Sequence, residues 1–367
     1  MTRNGLRRAS VALLAAAGLA AGAAGCGDGQ AAVAAGGPPP VTVGLDANTF
    51  GSDVAREQGA IRRLGIRDLR EQVRWDVVEP HRGRWSFATY DARFATSARD
   101  GIRILPLLYG TPRWEARSPD RLPQHAAAWA GFTAQVVARY GPGGTFWRAH
   151  PELDSRLAPT TFELWNEPYY ERFSVGGVDA RRYAKLTAAA ARAGRAANPR
   201  ARFLVSGETR YDAGNGSVRN WVDDLWAAVP DLGSLVDGIA VHPYTLGSPL
   251  AITSQARNDF RRVDEIRVAA RAKSGRALPL WITEVGWSTC DQRPGCVSEA
   301  TQAQYTAELF RLLRTRYAGL VTAAYLYGWR SQGGAAAGDR EGFFGILRAD
   351  GSRKPSWNAL RQAARDG

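Results

Sequence analysis

Short apolar runs and longer amphipathic segments alternate along the chain from residue 41 onwards. The apolar runs are rich in β-branched and aromatic residues and are bounded by polar or turn-forming residues, which is typical of buried strands. The pattern predicts strands at Val41–Leu45, Asp68–Val73, Ile102–Leu108, Thr161–Trp165, Arg202–Ser206, Gly238–Val241, Leu280–Thr283 and Ala323–Tyr327.

Each predicted strand is followed by a segment in which apolar residues recur with helical spacing. The predicted helices cover Asp53–Leu64, Tyr90–Asp100, Gln124–Tyr140, Asp179–Asn198, Ser217–Ala228, Thr253–Lys273, Glu299–Tyr317 and Pro355–Ala364. Asp179, Thr253 and Ser298 are the expected N-cap residues. Pro355 suits the first position of the last helix, and Gly275 suits a helix end.

This repetition of βα units predicts an α/β protein built as a single (β/α)8 TIM barrel over residues 41–367. The alternative is a doubly wound open sheet. That fold favours a glycine-rich phosphate-binding turn after its first strand, whereas this chain has Leu45-Asp46-Ala47-Asn48 there. No second linker interrupts the barrel region, so we expect one domain.

The amino terminus differs in composition from the rest of the chain. Positive charges precede the apolar stretch Ala9–Ala24, which is short for a transmembrane helix and predicts a signal peptide over residues 1–25. Ala23-Ala24-Gly25-Cys26 resembles a bacterial lipobox and predicts lipidation of Cys26, with a plain secreted cysteine or an ordinary cleavage site as the alternatives. Residues 26–40, rich in Gly, Ala and Pro, predict a flexible linker. We expect an exported protein, either secreted or a cell-surface lipoprotein anchored to the membrane through lipidated Cys26.

Basic residues outnumber acidic ones, with 48 Lys and Arg against 35 Asp and Glu and a net charge of +13. The arginines are scattered over the predicted helices and are not clustered with aromatic residues, so we expect no nucleic-acid partner. The four histidines have no metal-ligand spacing, so no metal site is predicted.

Cys290 and Cys296 enclose a short loop, and export permits a disulfide between them. We expect a monomer.

The carboxyl ends of barrel strands meet at one mouth, where barrel proteins place their functional groups. The residues at these ends are Asp46, Asn48, Arg70, Tyr109, Asn166, Glu167, Glu208, His242, Tyr244, Glu284, Trp287 and Trp329. Carboxylates move protons and attack anomeric carbons, while aromatic rings stack on sugar rings. The mixture therefore predicts a carbohydrate site.

Glu167 and Glu284 are the sharpest pair in this set. Cleavage of a glycosidic bond uses two carboxyl groups, one to protonate the leaving oxygen and one to attack the anomeric carbon or activate water. Arg70 is the cation expected to keep Glu284 ionised. The structural alternatives are a helix cap for Glu167, a salt bridge for Glu284, and an ion pair unrelated to the site for Arg70, with Arg74 close by.

Several motifs resemble those of clan A glycoside hydrolases, most closely families 39 and 5. Trp165-Asn166-Glu167-Pro168 matches the acid/base motif of the clan, and Ile282–Trp287 is similar to its nucleophile motif. Val241–Tyr244 resembles the strand-six segment that surrounds the nucleophile, and Leu64–Asp91 resembles the region with an Arg at the end of strand two. The similarity extends over about residues 43–330.

The resemblance implies a role for each matching residue. Glu167 would be the general acid/base, and Glu284 the nucleophile of a retaining double displacement that needs no cofactor. Asn166 would bind the sugar's 2-hydroxyl, Tyr244 would donate to the nucleophile, and His242 would orient the pair.

The remaining mouth residues have less defined roles. The resemblance implies a stacking floor for Trp329, whereas packing at the barrel rim is the structural alternative. Asp46, Tyr109 and Trp287 are expected to line the mouth. Glu208 is expected to be structural or substrate-binding.

An exported retaining glycoside hydrolase that cleaves a β-linked oligo- or polysaccharide is therefore the leading hypothesis. A non-catalytic glycan-binding lipoprotein and an envelope transglycosylase that uses the same residues are the alternatives. The substrate depends on loops that carry Tyr169, Tyr170, Arg172, Arg210 and Tyr211. The arginines among them mildly favour an anionic sugar.

Overall fold

The computed structural model describes residues 38–46, 54–214, 216–253, 259–290, 295–332 and 340–366. The predicted signal peptide, Cys26, most of the predicted linker and Asn48 lie outside these residues. The strands, in chain order, are β1 Thr42–Asp46, β2 Asp68–Arg74, β3 Arg103–Tyr109, β4 Thr161–Leu164, β5 Arg202–Ser206, β6 Tyr211–Asp212, β7 Val218–Arg219, β8 Gly238–Val241, β9 Leu280–Val285 and β10 Val321–Tyr327.

All of these strands except β6 and β7 form one closed parallel barrel, in the order β1-β10-β9-β8-β5-β4-β3-β2. The barrel closes where β1 pairs with β10, with Asp46 opposite Tyr327. The predicted (β/α)8 TIM barrel is confirmed, and the doubly wound sheet is excluded because no strand of the barrel has a free edge. Strands β6 and β7 form a separate antiparallel ribbon after β5, which the sequence pattern did not predict.

The helices are α1 Val54–Leu64, α2 Trp75–Val78, α3 Ala88–Arg99, α4 Ala126–Tyr140, α5 Thr145–Ala149, α6 Ala180–Ala197, α7 Trp221–Ala228, α8 Leu232–Leu235, α9 Arg261–Ser274, α10 Glu299–Thr315 and α11 Ser356–Asp366. Every predicted helix is present, and the short α2, α5 and α8 are additional. None of the helices in the described part of the chain is both long and apolar enough to cross a membrane.

Three helix ends follow the predicted capping chemistry, and α11 begins at Ser356, one residue after the predicted Pro355. The side chains of Asp179 and Ser298 accept hydrogen bonds from backbone N–H groups in the first turns of α6 and α10. Gly275 ends α9 with a φ of 70°. The prediction for Thr253 was wrong: α9 begins at Arg261, and the backbone N–H and hydroxyl of Thr253 both donate to the Asp259 carboxylate.

The loop between β9 and α10 contains the predicted disulfide, which joins Cys290 and Cys296 with a Cα–Cα distance of 5.3 Å. This loop is also tied to the loop that follows β10. Ser288 Oγ donates to the Arg340 carbonyl at 2.8 Å, and Thr289 N donates to the Phe343 carbonyl at 3.2 Å. The disulfide loop therefore supports the chain segment around residues 340–344.

Two glycines in helix interiors have opposite surroundings. A Cβ atom added to Gly131, in α4, would have no neighbour within 4 Å. A Cβ atom added to Gly194, in α6, would overlap the ring of Phe203 on β5. Gly194 thus allows α6 to approach the barrel closely, whereas Gly131 carries only the entropic cost of glycine in a helix.

We expect Gly131→Ala to raise the free energy of unfolding by about 0.5–1 kcal/mol, because alanine favours helix without a new contact. Gly194→Ala should lower it by about 1–3 kcal/mol, because the ring of Phe203 must move. Urea denaturation of both variants checks the pair. Equal changes in the free energy of unfolding for the two variants would contradict the close approach of α6 to the barrel at Gly194.

Candidate active site

Glu167 lies just beyond the end of β4, where the backbone turns sharply. Trp165 has a φ of 69° and Glu167 a φ of 37°, both in the left-handed region that side chains disfavour. The turn is held because Trp165 N donates to the Leu108 carbonyl at 2.9 Å and Trp165 Nε1 donates to the Phe173 carbonyl at 2.7 Å. Such strain persists where the surroundings enforce it, and it is concentrated at functional sites.

Glu284, in the seventh barrel strand β9, faces Glu167 across the mouth. Its Oε1 accepts a hydrogen bond from Arg70 Nη1 at 2.5 Å, and its Oε2 accepts one from the Tyr244 hydroxyl at 2.9 Å. One carboxylate oxygen of Glu167 and one of Glu284 lie within 4.8 Å of each other. This upper limit for one pair of oxygens fits the roughly 5–5.5 Å between the carboxyl groups of retaining glycosidases better than the roughly 6.5–9.5 Å of inverting ones.

Arg70 is buried at the centre of the acidic groups. Its guanidinium donates to Glu284, to Asp46 at 2.6 Å, to Asn166 at 2.8 Å and, through two nitrogens, to Glu163 at 2.6 and 3.1 Å. Burial alone would raise the pKa of Glu163, but Arg70 and His242 hold it near 2. For Asp46, the effects that raise the pKa outweigh the effect of Arg70. Burial, together with the nearby Glu284 charge, raises the Asp46 pKa to about 7 despite Arg70.

His242 connects the acid/base candidate to the barrel interior. Its Nδ1 lies 2.8 Å from Glu167 Oε1, and its Nε2 lies 3.0 Å from Thr283 Oγ1. Burial alone would lower the pKa of His242, but Glu284, Glu163 and Glu167 together raise it to about 10. The ring is therefore an imidazolium at neutral pH and donates to Glu167. Glu167 Oε2 has no hydrogen bond to a residue that the structure describes, and it is free to meet a substrate.

These groups share one cavity of about 720 Å³ at the barrel mouth. Its walls include seven of the predicted site residues, namely Asp46, Arg70, Asn166, Glu167, His242, Tyr244 and Glu284. Tyr170 and Arg172, from the loops expected to decide the substrate, also line it. The remaining walls come from residues that were not predicted, namely Gln72, Glu171, Phe173, Arg262, Tyr327, Arg340, Glu341 and Phe344.

The placement of Trp329 does not support a stacking floor. Its side chain is 2% exposed, packs against Trp357 with ring centroids 5.5 Å apart, and does not line the cavity. Tyr327 and Phe344 line the cavity instead, and each lies edge-on to the ring of Tyr244. Tyr327 could have been identified as the last residue of its predicted strand. Phe344 could not, because it lies in the loop beyond.

Trp287 and Tyr109 are also buried outside the cavity, contrary to the expectation that they line the mouth. The indole N–H of Trp287 donates to the Gly247 carbonyl at 3.0 Å and fixes the loop after β8. The Tyr109 hydroxyl donates to Asp120 at 2.5 Å, and burial raises the Tyr109 pKa. Large aromatic side chains with a satisfied polar tip are suited to such packing.

Two buried charges with clear contacts to the site were absent from the predicted set. Glu163 is fully buried in the short strand β4, and its charge in an apolar strand was a visible signal. Arg262, in α9, donates from Nη2 to the carbonyls of His242 and Tyr244, both at 3.1 Å, and pairs through Nη1 with Glu208 at 3.1 Å. The ion pair gives Glu208 a structural contact, and Glu208 also lines a neighbouring cavity, so both of its expected roles stay open.

The fold and the site define a class of protein, because two carboxyl groups at the ends of the fourth and seventh barrel strands are the arrangement of barrel glycosidases. The family model described as glycosyl hydrolases family 39 matches residues 155–364, more than half of the chain. The chain belongs to family 39 of the glycosyl hydrolases.

Solved structures of related enzymes share the fold. A family 39 glycoside hydrolase from the gut symbiont Bacteroides cellulosilyticus WH2 has a TM-score of 0.65 at 22% identity, over 89% of this chain and 63% of that one. A monomeric beta-xylosidase from Caulobacter crescentus CB15 has a TM-score of 0.64 at 22% identity, over 89% and 68%. This chain therefore spans somewhat less than two thirds of the first of these enzymes. No curated protein matches it by sequence.

The raised pKa of His242 makes stability depend on pH. Because the folded-state pKa of about 10 exceeds the ordinary value of 6.5, the stabilisation is complete below pH 6.5 and is lost as the pH rises through 10. We expect wild type to lose up to about 1.4 kcal/mol per pH unit relative to His242→Gln in this window. Urea unfolding of both proteins from pH 6 to 10.5 measures this. Parallel stability curves would contradict a charged His242.

Arg262→Met should destabilise the protein by about 3–5 kcal/mol, because Glu208 is left as a buried unpaired charge. The double variant Arg262→Met/Glu208→Gln should recover much of that stability. It should still have kcat/KM lowered about 10- to 100-fold, because the carbonyls of His242 and Tyr244 have lost their donor. Full activity in a stable double variant would show that Arg262 does not position the site.

Proposed function

We propose that this family 39 protein is a glycoside hydrolase that acts by double displacement, with Glu284 as nucleophile and Glu167 as general acid/base. The observation that carries the proposal is the close approach of these two carboxylates in one cavity. Their hydrogen bonds differ in the way the two roles require. Glu284 is surrounded by donors, whereas Glu167 keeps one oxygen free toward the cavity.

In the first step a Glu284 oxygen attacks the anomeric carbon while Glu167, which takes up the proton it shares with His242, protonates the departing glycosidic oxygen. In the second step Glu167 takes a proton from water, and the water oxygen replaces Glu284 at the anomeric carbon with net retention. Arg70 and Tyr244 hold Glu284 in place for attack. The amide oxygen of Asn166 accepts from Arg70, so its NH₂ group is left to donate to a sugar hydroxyl.

The charges that line the cavity favour a neutral sugar as the group that is transferred. Arg172 and Arg340 line it, but Glu171 and Glu341 lie in the same walls, so there is no net excess of cations at the rim. Related structures include a beta-xylosidase and a glucosidase from Croceicoccus marinus, both of which act on neutral sugars by name. An aryl β-D-xyloside is therefore the first substrate to test.

The cellular setting follows from the amino terminus. We propose that residues 1–25 are a signal peptide, that 26–40 form a linker, and that the barrel domain of residues 41–367 acts outside the cytoplasm. Lipidation at Cys26 would anchor it at the cell surface. The disulfide between Cys290 and Cys296 suits an oxidising compartment, and we propose a monomer, as for the monomeric beta-xylosidase from Caulobacter crescentus.

Glu284→Gln should lower kcat/KM for 4-nitrophenyl β-D-xyloside by roughly four orders of magnitude or more, because a nucleophile is lost while the shape is kept. Glu152→Gln, an exposed acid outside the cavity, is the matched control and should keep wild-type activity. Retention of activity in Glu284→Gln would refute the assignment.

Azide separates the two roles. With Glu284→Ala, azide enters from the vacated side and should give the α-glycosyl azide. With Glu167→Ala, azide replaces the base in the second step and should give the β-glycosyl azide from an activated aryl glycoside. The anomer is read by proton NMR, and the reverse assignment of products would exchange the two roles.

A further inference from the structure

A second cavity, of about 970 Å³, adjoins the catalytic cavity. Tyr170, Glu171 and Arg262 line both cavities, so the two share a wall. The second cavity is also lined by the loop after β4, including Gly176, and by the β6–β7 ribbon, including Val218. Its volume lies in the range of about 300–1,000 Å³ that is typical of ligand sites.

The second cavity lies on the side of the acid, away from the nucleophile. Among the residues that the structure describes, its walls come from the segments after β4 and β5 and from α9, and none comes from β1, β9, β10 or the described part of the loop after β10. Glu167 precedes Tyr170 in the same β4 loop, whereas Glu284 and Tyr327 belong to the opposite wall of the catalytic cavity. The oxygen that the acid protonates belongs to the leaving group. The leaving group therefore departs toward the second cavity.

The walls offer groups that bind sugars. The ring of Tyr170 is 47% exposed and is held by an edge contact with Tyr169, at 4.8 Å between centroids, so its face is available for stacking. Arg210 is exposed in this wall and makes no ion pair or hydrogen bond within the described part of the chain. Arg262 is already paired with Glu208, so this buried charge needs no anionic ligand.

The outer wall is anchored to the barrel. The Tyr211 hydroxyl donates to Asp224 at 2.8 Å, and Arg219 Nε donates to the same carboxylate at 2.8 Å. The ring of Tyr211 also packs edge-on against the buried Trp221, at 5.1 Å. Both strands of the ribbon are thereby fixed to α7, and the cavity has a defined shape.

We propose that the second cavity is the leaving-group subsite and binds a neutral sugar. The natural substrate then carries at least one sugar unit on its leaving side, which makes the protein an enzyme of oligo- or polysaccharides and not of glycosides with small aglycones. This inference rests on the proposed double displacement, because the glycosyl-enzyme intermediate gives the means to test it.

The test begins with 2,4-dinitrophenyl 2-deoxy-2-fluoro-β-D-xyloside, which loses dinitrophenolate and leaves the fluorosugar esterified to Glu284. Excess reagent is removed, and recovery of activity is followed in buffer alone and with xylobiose. When xylobiose restores activity, one of its hydroxyl oxygens forms a bond to the anomeric carbon of the fluorosugar. The proton of that hydroxyl passes to Glu167, and the ester bond between the fluorosugar and Glu284 breaks. The measured quantity is the ratio of the two recovery rates for each protein.

For wild type we expect saturable acceleration of about tenfold or more, the change that about 1.4 kcal/mol of acceptor binding gives. Val218→Trp, at a position 60% exposed in the ribbon, should fill the cavity and bring the ratio close to one. Arg210→Ala should raise the xylobiose concentration needed for half-maximal acceleration. Val268→Trp, at a position 59% exposed on α9 and outside both cavities, should keep the wild-type ratio.

The possible failures are distinguishable. Trapping without acceleration by xylobiose or cellobiose, or acceleration that Val218→Trp does not change, would overturn the subsite and leave the double displacement intact. Absence of a covalent adduct in the intact-protein mass spectrum would overturn the proposed mechanism, and the subsite with it.

Discussion

The structure of the site depends on one buried guanidinium. Arg70 contacts Asp46, Glu163 and Glu284 simultaneously, and with His242 it supplies the positive charge that lets several carboxyl groups be buried at one end of a closed barrel. Buried ions are tolerated only with compensating charges and satisfied hydrogen bonds. The acids and bases of this mouth therefore form one network, in which the position and ionisation of each group depend on the others.

Much of the barrel was accessible from the sequence, because the fold repeats one simple pattern. Buried parallel strands need apolar runs, and the capping residues Asp179, Ser298 and Gly275 mark helix ends through local backbone chemistry. Because such signals depend only on neighbouring residues, they do not reveal a competing contact with a residue farther along the chain. The pattern at Thr253 indicated a cap, but Asp259 competes for its hydrogen bonds. The start of α9 at Arg261, eight residues beyond Thr253, leaves no trace in the hydrophobic pattern.

The candidate site was predictable where function follows from position at a strand end, as for Glu167, Glu284, Arg70 and His242. It was not predictable beyond those ends. Gly328 has a φ of 96°, which redirects the chain after β10, so Trp329 is carried into the helix layer while Tyr327 stays at the cavity. Arg262 reaches the site from a helix, and the β6–β7 ribbon has strands too short to show any periodicity.

The left-handed conformations of Trp165 and Glu167 have a thermodynamic consequence for the evolution of this protein. Conformations of this kind cost on the order of 1–3 kcal/mol each, so the geometry that presents the acid opposes folding. Substitutions that relax the turn would make a more stable barrel with a misdirected carboxyl group. Selection for stability alone would then relax the turn, whereas the role proposed for Glu167 requires the strained turn to be kept.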